Sequence, residues 1–185
     1  MNQALEQPVF YYDLGSPACY LAAEQIVSAL PVVAEWEPVP APSNGGLGVE
    51  LDRRAFERLA ADRGLLEIRW PRAWPPDAHR ALLAATYAKK AGRVVAFSLA
   101  AFRQAFAGGR DLGDDDTVLI AAAACEMHPV ALLKGMELRS TAAALDTAAA
   151  RALASGVRSL PAIVLGTRVF EGARAIELAS LALGT

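Results

Sequence analysis

Cysteine and histidine are scarce in this chain, which has only two of each among its 185 residues. Cys19 and Cys125 match no metal-ligand spacing, and two cysteines cannot build a disulfide framework. We interpret His79 and His128, which are isolated in the sequence, as structural or solvent-facing side chains. The three consecutive aspartates at 114–116 do not converge on one helix face, so helix capping explains them better than metal binding. The sequence therefore predicts no metal site, and Cys125 is predicted to be a small buried apolar residue.

The chain also lacks an excess of basic residues and a long apolar run. Its net charge is -2 and charged residues make up 21% of it, so no basic field indicates a nucleic-acid partner. The longest apolar stretch, 118–125, is far shorter than the roughly 20 residues that span a bilayer. The N-terminus shows no basic segment followed by an apolar run, the pattern of a secretory signal. We therefore expect a cytoplasmic protein with no nucleic-acid or membrane partner.

One stretch, residues 9–26, organises the rest of the chain. Val9–Tyr12 is an apolar, aromatic run that indicates a buried strand, and a helix is predicted to begin at Ser16 or Pro17. A side chain at such a strand-to-helix turn lies beside unpaired backbone N–H groups and the positive end of the helix dipole, which stabilise an anion such as a thiolate. Ser16 as N-cap before Pro17 is also an ordinary helix start. From these residues alone, both interpretations of Ser16 stay open.

Short apolar strands are predicted at both ends of the chain, with helices between them. Strands are predicted at Val9–Tyr12, Val32–Trp36, Ala162–Leu165 and Arg168–Phe170. The last two are joined by a hairpin turn at Gly166–Thr167. Helices are predicted at 17–30, 51–63, 78–91, 94–107, 118–127, 129–137, 141–155 and 173–183, and proline-rich loops at 37–48 and 69–77. Because no single strand can bury its faces alone, we expect one sheet with the helical middle as an insertion.

This layout resembles the thioredoxin fold. The resemblance includes Ser16-Pro17-Ala18-Cys19 at the helix start and Leu160-Pro161 before the hairpin. The four-residue segment occupies the place of the redox Cys-x-x-Cys, and Pro161 matches the cis-proline that faces it. The helical insertion makes the arrangement look like the DsbA-type group. The resemblance implies an α/β fold with a thioredoxin-like domain formed by residues 1–45 and 141–185, and a helical insertion domain at 46–140.

Within that group the chain most resembles the 2-hydroxychromene-2-carboxylate isomerases and the kappa-class glutathione transferases. No single motif is specific, but an ordered set of five runs nearly end to end. Its members are Asp13 to Ser16-Pro17 with Tyr20-Leu21-Ala22; Arg69-Trp70-Pro71 with Trp74-Pro75-Pro76-Asp77; Gly109-Arg110-Asp111-Leu112; Gly156 to Pro161; and Phe170 with Gly172.

The resemblance implies a glutathione-dependent isomerase or transferase acting on a small aromatic electrophile. The family's serine, here Ser16, hydrogen-bonds the glutathione sulfur, and the residue before the cis-proline pairs its backbone with the tripeptide. The thiolate adds to the substrate, allows bond rotation or ring opening, and leaves. The implied site has Ser16 and Cys19 as catalytic residues, Leu160, Pro161, Asp77, Gly172 and Arg174 around glutathione, and Tyr12, Trp74 and Pro17 around the substrate. The family also implies a homodimer.

Three departures from the family pattern keep other functions open. Ala18 and Cys19 replace an aromatic residue and a serine, Asp77 replaces an asparagine near the sulfur, and Ala173-Arg174 replaces polar and acidic residues that grip the γ-glutamyl end. Arg174 is predicted either to hold a carboxylate or to be an exposed surface arginine. Because a serine cannot form a disulfide with Cys19, a two-thiol redox cycle is excluded. The alternatives are an oxidoreductase that uses Cys19 as a single thiol, and a non-catalytic binding module.

Overall fold

The computed structural model describes residues 7–41 and 52–184, which contain a four-stranded mixed sheet and eight α-helices. The strands are β1 Val9–Tyr12, β2 Glu35–Pro38, β3 Ala162–Leu165 and β4 Arg168–Glu171. The helices are α1 Pro17–Ala29, α2 Arg53–Asp62, α3 His79–Lys90, α4 Val94–Phe106, α5 Asp115–Ala123, α6 Pro129–Met136, α7 Arg139–Ala154 and α8 Ala175–Leu183. A 3₁₀ turn at Gly172–Arg174 joins β4 to α8.

The sheet has the order β2-β1-β3-β4, with β1 and β2 parallel and the other two pairs antiparallel. Strands from both ends of the chain therefore pair in one sheet, and α2 to α6 form the helical insertion. This confirms the predicted α/β fold. The proposed domain boundaries stay predictions, and the first of them, at 45–46, lies outside the described residues.

Both faces of the sheet are covered, which explains why β1 is apolar along its whole length. Successive side chains of a strand point to opposite faces. Phe10 and Tyr12 enter the larger core cluster, where each ring also packs against Trp36 of β2. Tyr11 points the other way and packs with Ala148 of α7 in a second cluster. A strand buried on both faces carries no polar-apolar alternation.

A cluster of four charges joins the edge strand β2 to two helices. Lys89 of α3 donates to Glu35 and to Glu37, at 2.6 Å in each case. Arg151 of α7 also pairs with both carboxylates. The cluster lowers the pKa of Glu35, chiefly through its hydrogen bond from Lys89. Because the Glu37 side chain is only 8% exposed, the cluster is screened less than an ordinary surface ion pair.

Several element boundaries differ from the sequence prediction. Strand β2 begins at Glu35 rather than Val32, because Glu35 N–H donates to the Pro8 carbonyl at 2.8 Å while Val33 is 83% exposed. Helix α5 begins at Asp115 rather than at residue 118. Asp114 caps it by accepting from Asp116 N–H at 3.1 Å, which confirms the capping interpretation.

Two further differences concern α2 and α8. Helix α2 begins at Arg53 after its cap Asp52, whereas the predicted start at Leu51 and most of the predicted loop at 37–48 lie outside the described residues. The closing helix α8 begins at Ala175, two residues later than predicted, because the 3₁₀ turn precedes it. Among the described residues, no helix combines the length and apolarity needed to cross a membrane.

Candidate functional site

The turn between β1 and α1 is held by a buried carboxylate. Asp13 accepts hydrogen bonds from Gly15 N–H at 2.7 Å and from Ala41 N–H at 2.6 Å, and its own carbonyl accepts from Ser16 N–H at 3.2 Å. Burial raises the pKa of Asp13, and the two hydrogen bonds to its carboxylate act against that shift. Asp13 thereby fixes the backbone that presents Ser16 and ties it to the segment that follows β2.

Ser16 is the N-cap of α1, as predicted. Its Oγ accepts from Cys19 N–H at 3.3 Å, and Pro17 occupies the first helical turn. The hydroxyl has a single proton to donate, and this proton is directed at the Cys19 sulfur, where its hydrogen bond lowers the pKa of that thiol. Ser16 is 7% exposed. The position next to the helix N-terminus is therefore one that favours an anionic acceptor.

Cys19 has the surroundings of a core residue rather than of a nucleophile. It is completely buried and free. Burial raises the pKa of its thiol from 9.0 to about 12, and a hydrogen bond donated by the Ser16 hydroxyl opposes the shift only in part. A thiol with that pKa is almost entirely protonated near neutral pH, and the thiolate is the reactive form. The burial and raised pKa of the Cys19 thiol do not support its predicted catalytic role or the single-thiol redox alternative, and both stay predictions.

The predicted cis-proline is confirmed at Leu160–Pro161. The Pro161 carbonyl accepts from Gly172 N–H at 2.9 Å, which joins this loop to the end of β4. Glu171 supports the same loop, because its Oε1 accepts from the backbone N–H groups of Arg158 and Ser159. The backbone groups of Leu160 have no hydrogen-bond partner among the described residues, and this residue is half-buried. An extended ligand can therefore pair with Leu160 in the manner of an added strand.

A narrow groove of about 40 Å³ runs beside the first half of α1. Helix α1, the cis-proline loop and the start of α8 form its floor and one wall, and α2 forms the other wall. The lining residues are Ala18, Leu21, Ala22 and Gln25 of α1, Phe56, Leu59 and Arg63 beside them, and Pro161, Gly172, Ala173 and Ile176. The groove thus brings the predicted Pro161 and Gly172 together with a wall that the sequence analysis missed.

The proline–tryptophan loop packs directly against the Ser16 turn. A Cβ atom placed on Gly15 would lie 3.3 Å from Ala78 Cβ and 3.4 Å from Pro76 Cγ. Trp74 is half-buried, and its ring meets Trp70 edge-to-face with centroids 5.4 Å apart. The Arg53 guanidinium lies 5.1 and 5.5 Å from the centroids of Trp70 and Trp74. The loop therefore presents an aromatic surface near the site, and the role of Trp74 in the substrate pocket stays a prediction.

Two of the predicted glutathione-binding side chains are engaged elsewhere. Asp77 is exposed and accepts from His79 N–H at 3.0 Å, so that its carboxylate supports the start of α3. Arg174 is exposed and forms a two-pronged ion pair with Glu177, at 2.9 and 2.8 Å, one turn along α8. Arg174 does not line the groove. Its interpretation as a surface arginine is therefore the correct one, and its predicted contact with a ligand is not supported.

Two of the residues predicted to line the substrate pocket lie in the core instead. The Tyr12 ring is completely buried, stacks on Phe10 at 5.1 Å and shares a hydrogen bond of 2.6 Å with Ser98. Burial raises the Tyr12 pKa far above its usual value. Pro17 is also buried at the start of α1. The structure does not support a place in the pocket for either side chain, because helix α4 of the insertion covers Tyr12 and Pro17 is enclosed at the helix start. No group of three or more potential metal ligands occurs in the described parts of the chain.

The sheet order, the cis-proline beside the start of α1 and the helical insertion together define a thioredoxin-type fold of the DsbA kind. The chain belongs to the family of DsbA-like thioredoxin domains, whose family model matches residues 9–184. No curated protein sequence matches the chain.

Solved structures with the same fold include enzymes of two kinds. The chain is similar to a 2-hydroxychromene-2-carboxylate isomerase, with a TM-score of 0.82, 18% identity and coverage of 96% of this chain and 94% of the other. It is similar to a probable DsbA oxidoreductase from Streptomyces coelicolor, with a TM-score of 0.76, 18% identity and coverage of 96% and 88%. A cytosolic disulfide reductase, DsbM, from Pseudomonas aeruginosa, solved with GSH, has a TM-score of 0.68, 13% identity and coverage of 97% and 100%. At these identities the likeness shows the fold alone.

Proposed function

We propose that this protein is a glutathione-dependent isomerase or transferase-like enzyme that acts on a small aromatic electrophile. One observation carries the proposal: a serine occupies the anion-favouring N-cap of α1, while both cysteines of the chain are buried. A thiol that reacts at this site must then come from a ligand. The proposal places the protein in the cytoplasm, where thiols are kept reduced by glutathione.

The residues of the site have separate tasks toward a bound thiol. When bound, the thiol supplies a nucleophilic sulfur that adds to an electrophilic carbon of the substrate and leaves again. The Ser16 hydroxyl turns from the Cys19 sulfur and donates its hydrogen bond to the sulfur of the ligand, and the N–H group of Ala18 adds the partial positive charge of the helix N-terminus. Both effects lower the pKa of the bound thiol. Leu160 pairs its backbone with the peptide part of the ligand, which holds the sulfur beside Ser16.

The aromatic class of substrate is supported by the proline–tryptophan loop. Trp74 is half-buried in the loop whose residues Pro76 and Ala78 pack against the Ser16 turn, and its ring meets Trp70 edge-to-face. Such rings offer offset or edge-to-face contacts to a planar ligand, worth about 0.5–1.5 kcal/mol beyond the buried area. The proposal includes a homodimer, which analytical ultracentrifugation checks by a molecular mass twice that of the chain.

Measuring the thiol pKa of glutathione bound to the protein tests the proposed function. Ultraviolet absorbance of the thiolate, followed through a pH titration, is expected to show a bound pKa well below the usual value of about 8.5 for a free cysteine thiol. Ser16→Ala removes the donated hydrogen bond and is expected to raise the bound pKa by about 1 unit or more, since hydrogen bonds to charged groups contribute about 1.5–3 kcal/mol. The control variant Ser28→Ala changes an exposed serine near the other end of α1. An unshifted pKa in the wild type would refute the proposal.

A second candidate, a non-catalytic binding module, is favoured by the narrowness of the groove and by the engagement of Arg174 with Glu177. The two candidates differ in turnover. Saturable conversion of an aromatic electrophile that requires glutathione, and that is reduced in Ser16→Ala, eliminates the binding module. Tight binding of glutathione without conversion of any such compound supports it.

A further inference from the structure

Arg63, just past the end of α2, is a cation that the proposed mechanism does not use. It lines the groove, and its Nη1 donates to the Leu21 carbonyl of α1 at 3.4 Å. That is its one side-chain hydrogen bond among the described residues, although a guanidinium has five N–H donors in a planar fork. Most of its donors therefore remain available to a molecule in the groove.

Arg63 is half-buried and has no counter-ion in the described part of the chain. Arg53 and Arg54 of α2, which also form no ion pair there, are exposed to solvent. Within the described ranges, 7–41 and 52–184, no carboxylate lies within ion-pair distance of Arg63. Burial lowers the pKa of Arg63, which is the direction expected for a partly desolvated cation without an acidic partner. A carboxylate brought by a ligand would supply the missing charge.

The size and position of the groove suit the end of a peptide thiol. The volume of about 40 Å³ holds about three water molecules, since each needs roughly 10–15 Å³. A carboxylate group, with three heavy atoms, occupies a similar volume. Leu21 lies five residues beyond Ser16, which is about 7.5 Å along the helix axis at about 1.5 Å per residue. Two extended residues span about 7 Å. Because five residues also turn about 140° around the helix, the route to Arg63 runs through the groove itself, which Pro161, the residue after Leu160, lines together with Arg63. A peptide whose backbone pairs with Leu160 therefore lies beside Arg63.

We propose that Arg63 binds a terminal carboxylate of the peptide thiol, in the groove between α1, α2 and the Pro161 loop. The inference rests on the proposed function for the identity of the ligand, and it replaces Arg174, the residue expected from the sequence. The planar guanidinium can donate two parallel hydrogen bonds to the two oxygens of a carboxylate. The small side chains of Ala18 and Ala22 leave the floor of the groove open to the ligand.

Calorimetric titration tests the role of Arg63 with four probes: glutathione, the two glutathione monoamides that each lack one carboxylate, and γ-glutamyl-alanyl-glycine, which lacks the thiol. Arg63→Gln is expected to weaken binding of glutathione about 10- to 100-fold, the effect of losing a charge-assisted hydrogen bond. Arg63→Lys keeps the charge and is expected to recover part of the loss. One monoamide is expected to bind wild type and Arg63→Gln equally. The matched control is Arg58→Gln, on the same helix, whose arginine pairs with Asp52 at the surface.

The outcomes separate this inference from the proposed function. If Arg63→Gln weakens both monoamides and glutathione by the same factor, or if Arg58→Gln has the same effect, Arg63 does not bind a carboxylate. If γ-glutamyl-alanyl-glycine binds through Arg63 while the thiol pKa of glutathione is unshifted, the carboxylate site stands and the proposed function fails. If the wild type binds none of the four probes, both are refuted. Thermal unfolding of each variant verifies that it is folded.

Discussion

The burial of Cys19 predicts that its thiol is almost unreactive in the folded protein. With a pKa of about 12, about one thiol in 10⁴ is ionised at pH 8, against about one in four for a free cysteine with a pKa near 8.5. Because alkylating reagents attack the thiolate, the ionisation difference alone slows alkylation about 10³-fold. Complete burial slows the reaction further by excluding the reagent.

Mass spectrometry of the protein after timed exposure to iodoacetamide measures the rate directly. Cys125→Ala isolates the signal of Cys19, and the same variant unfolded in urea supplies the reference rate. We expect alkylation of folded Cys19 to be at least 10³-fold slower than that reference. A folded rate within tenfold of the reference would refute the argument, and it would restore Cys19 as a candidate nucleophile.

Two further predictions concern stability. Cys19→Ala is expected to flatten the pH dependence of the unfolding free energy above pH 9. Folding raises the pKa of the Cys19 thiol from 9.0 to about 12, so the stability that the protonated thiol contributes is complete below about pH 9 and is lost toward pH 12, at up to about 1.4 kcal/mol per pH unit. Urea unfolding of variant and wild type at pH 8, 10 and 11 measures this loss. Parallel pH dependences of the two proteins would show that the Cys19 thiol is not its source. Tyr12→Phe removes the partner of the buried Ser98 hydroxyl and is expected to cost about 1–3 kcal/mol of stability with turnover unchanged. A large loss of turnover in folded Tyr12→Phe would instead return Tyr12 to the substrate pocket.

Local patterns in the sequence were sufficient for the fold and for the helix start at Ser16. Helices α2, α3, α4 and α7 each end two residues before a glycine, and Ser16-Pro17 is a helix start that depends only on neighbouring residues. Strand β2 was displaced because its first hydrogen bond, from Glu35 to Pro8, involves a residue far away in sequence. The two valines that precede it look like a strand, but Val33 is turned toward solvent and only Val32 packs against the core.

The site residues that the sequence analysis missed or misplaced depend on contacts between distant segments. Arg63 meets Leu21 across 42 positions, and no local pattern encodes that contact. The spacing of Phe56, Leu59 and Arg63 on one face of α2 was the available signal. Tyr12 was misplaced because nothing in β1 shows that helix α4 of the insertion covers the face of the sheet on which Tyr12 lies. The pairing of Arg174 with a glutamate three residues later could have been predicted from helix geometry.

The groove has a consequence for how this protein's selectivity can change. Its floor and the cis-proline loop belong to the segments that build the sheet, whereas Phe56 and Leu59 of the opposite wall belong to the helical insertion. A substitution on the inner face of α2 therefore reshapes the ligand's environment while Ser16 and its supporting Asp13 keep their geometry. Under the proposed function, the two properties are separable by mutation. The residues that act on the sulfur of the ligand belong to the sheet segments, and part of the wall that selects the ligand belongs to the insertion.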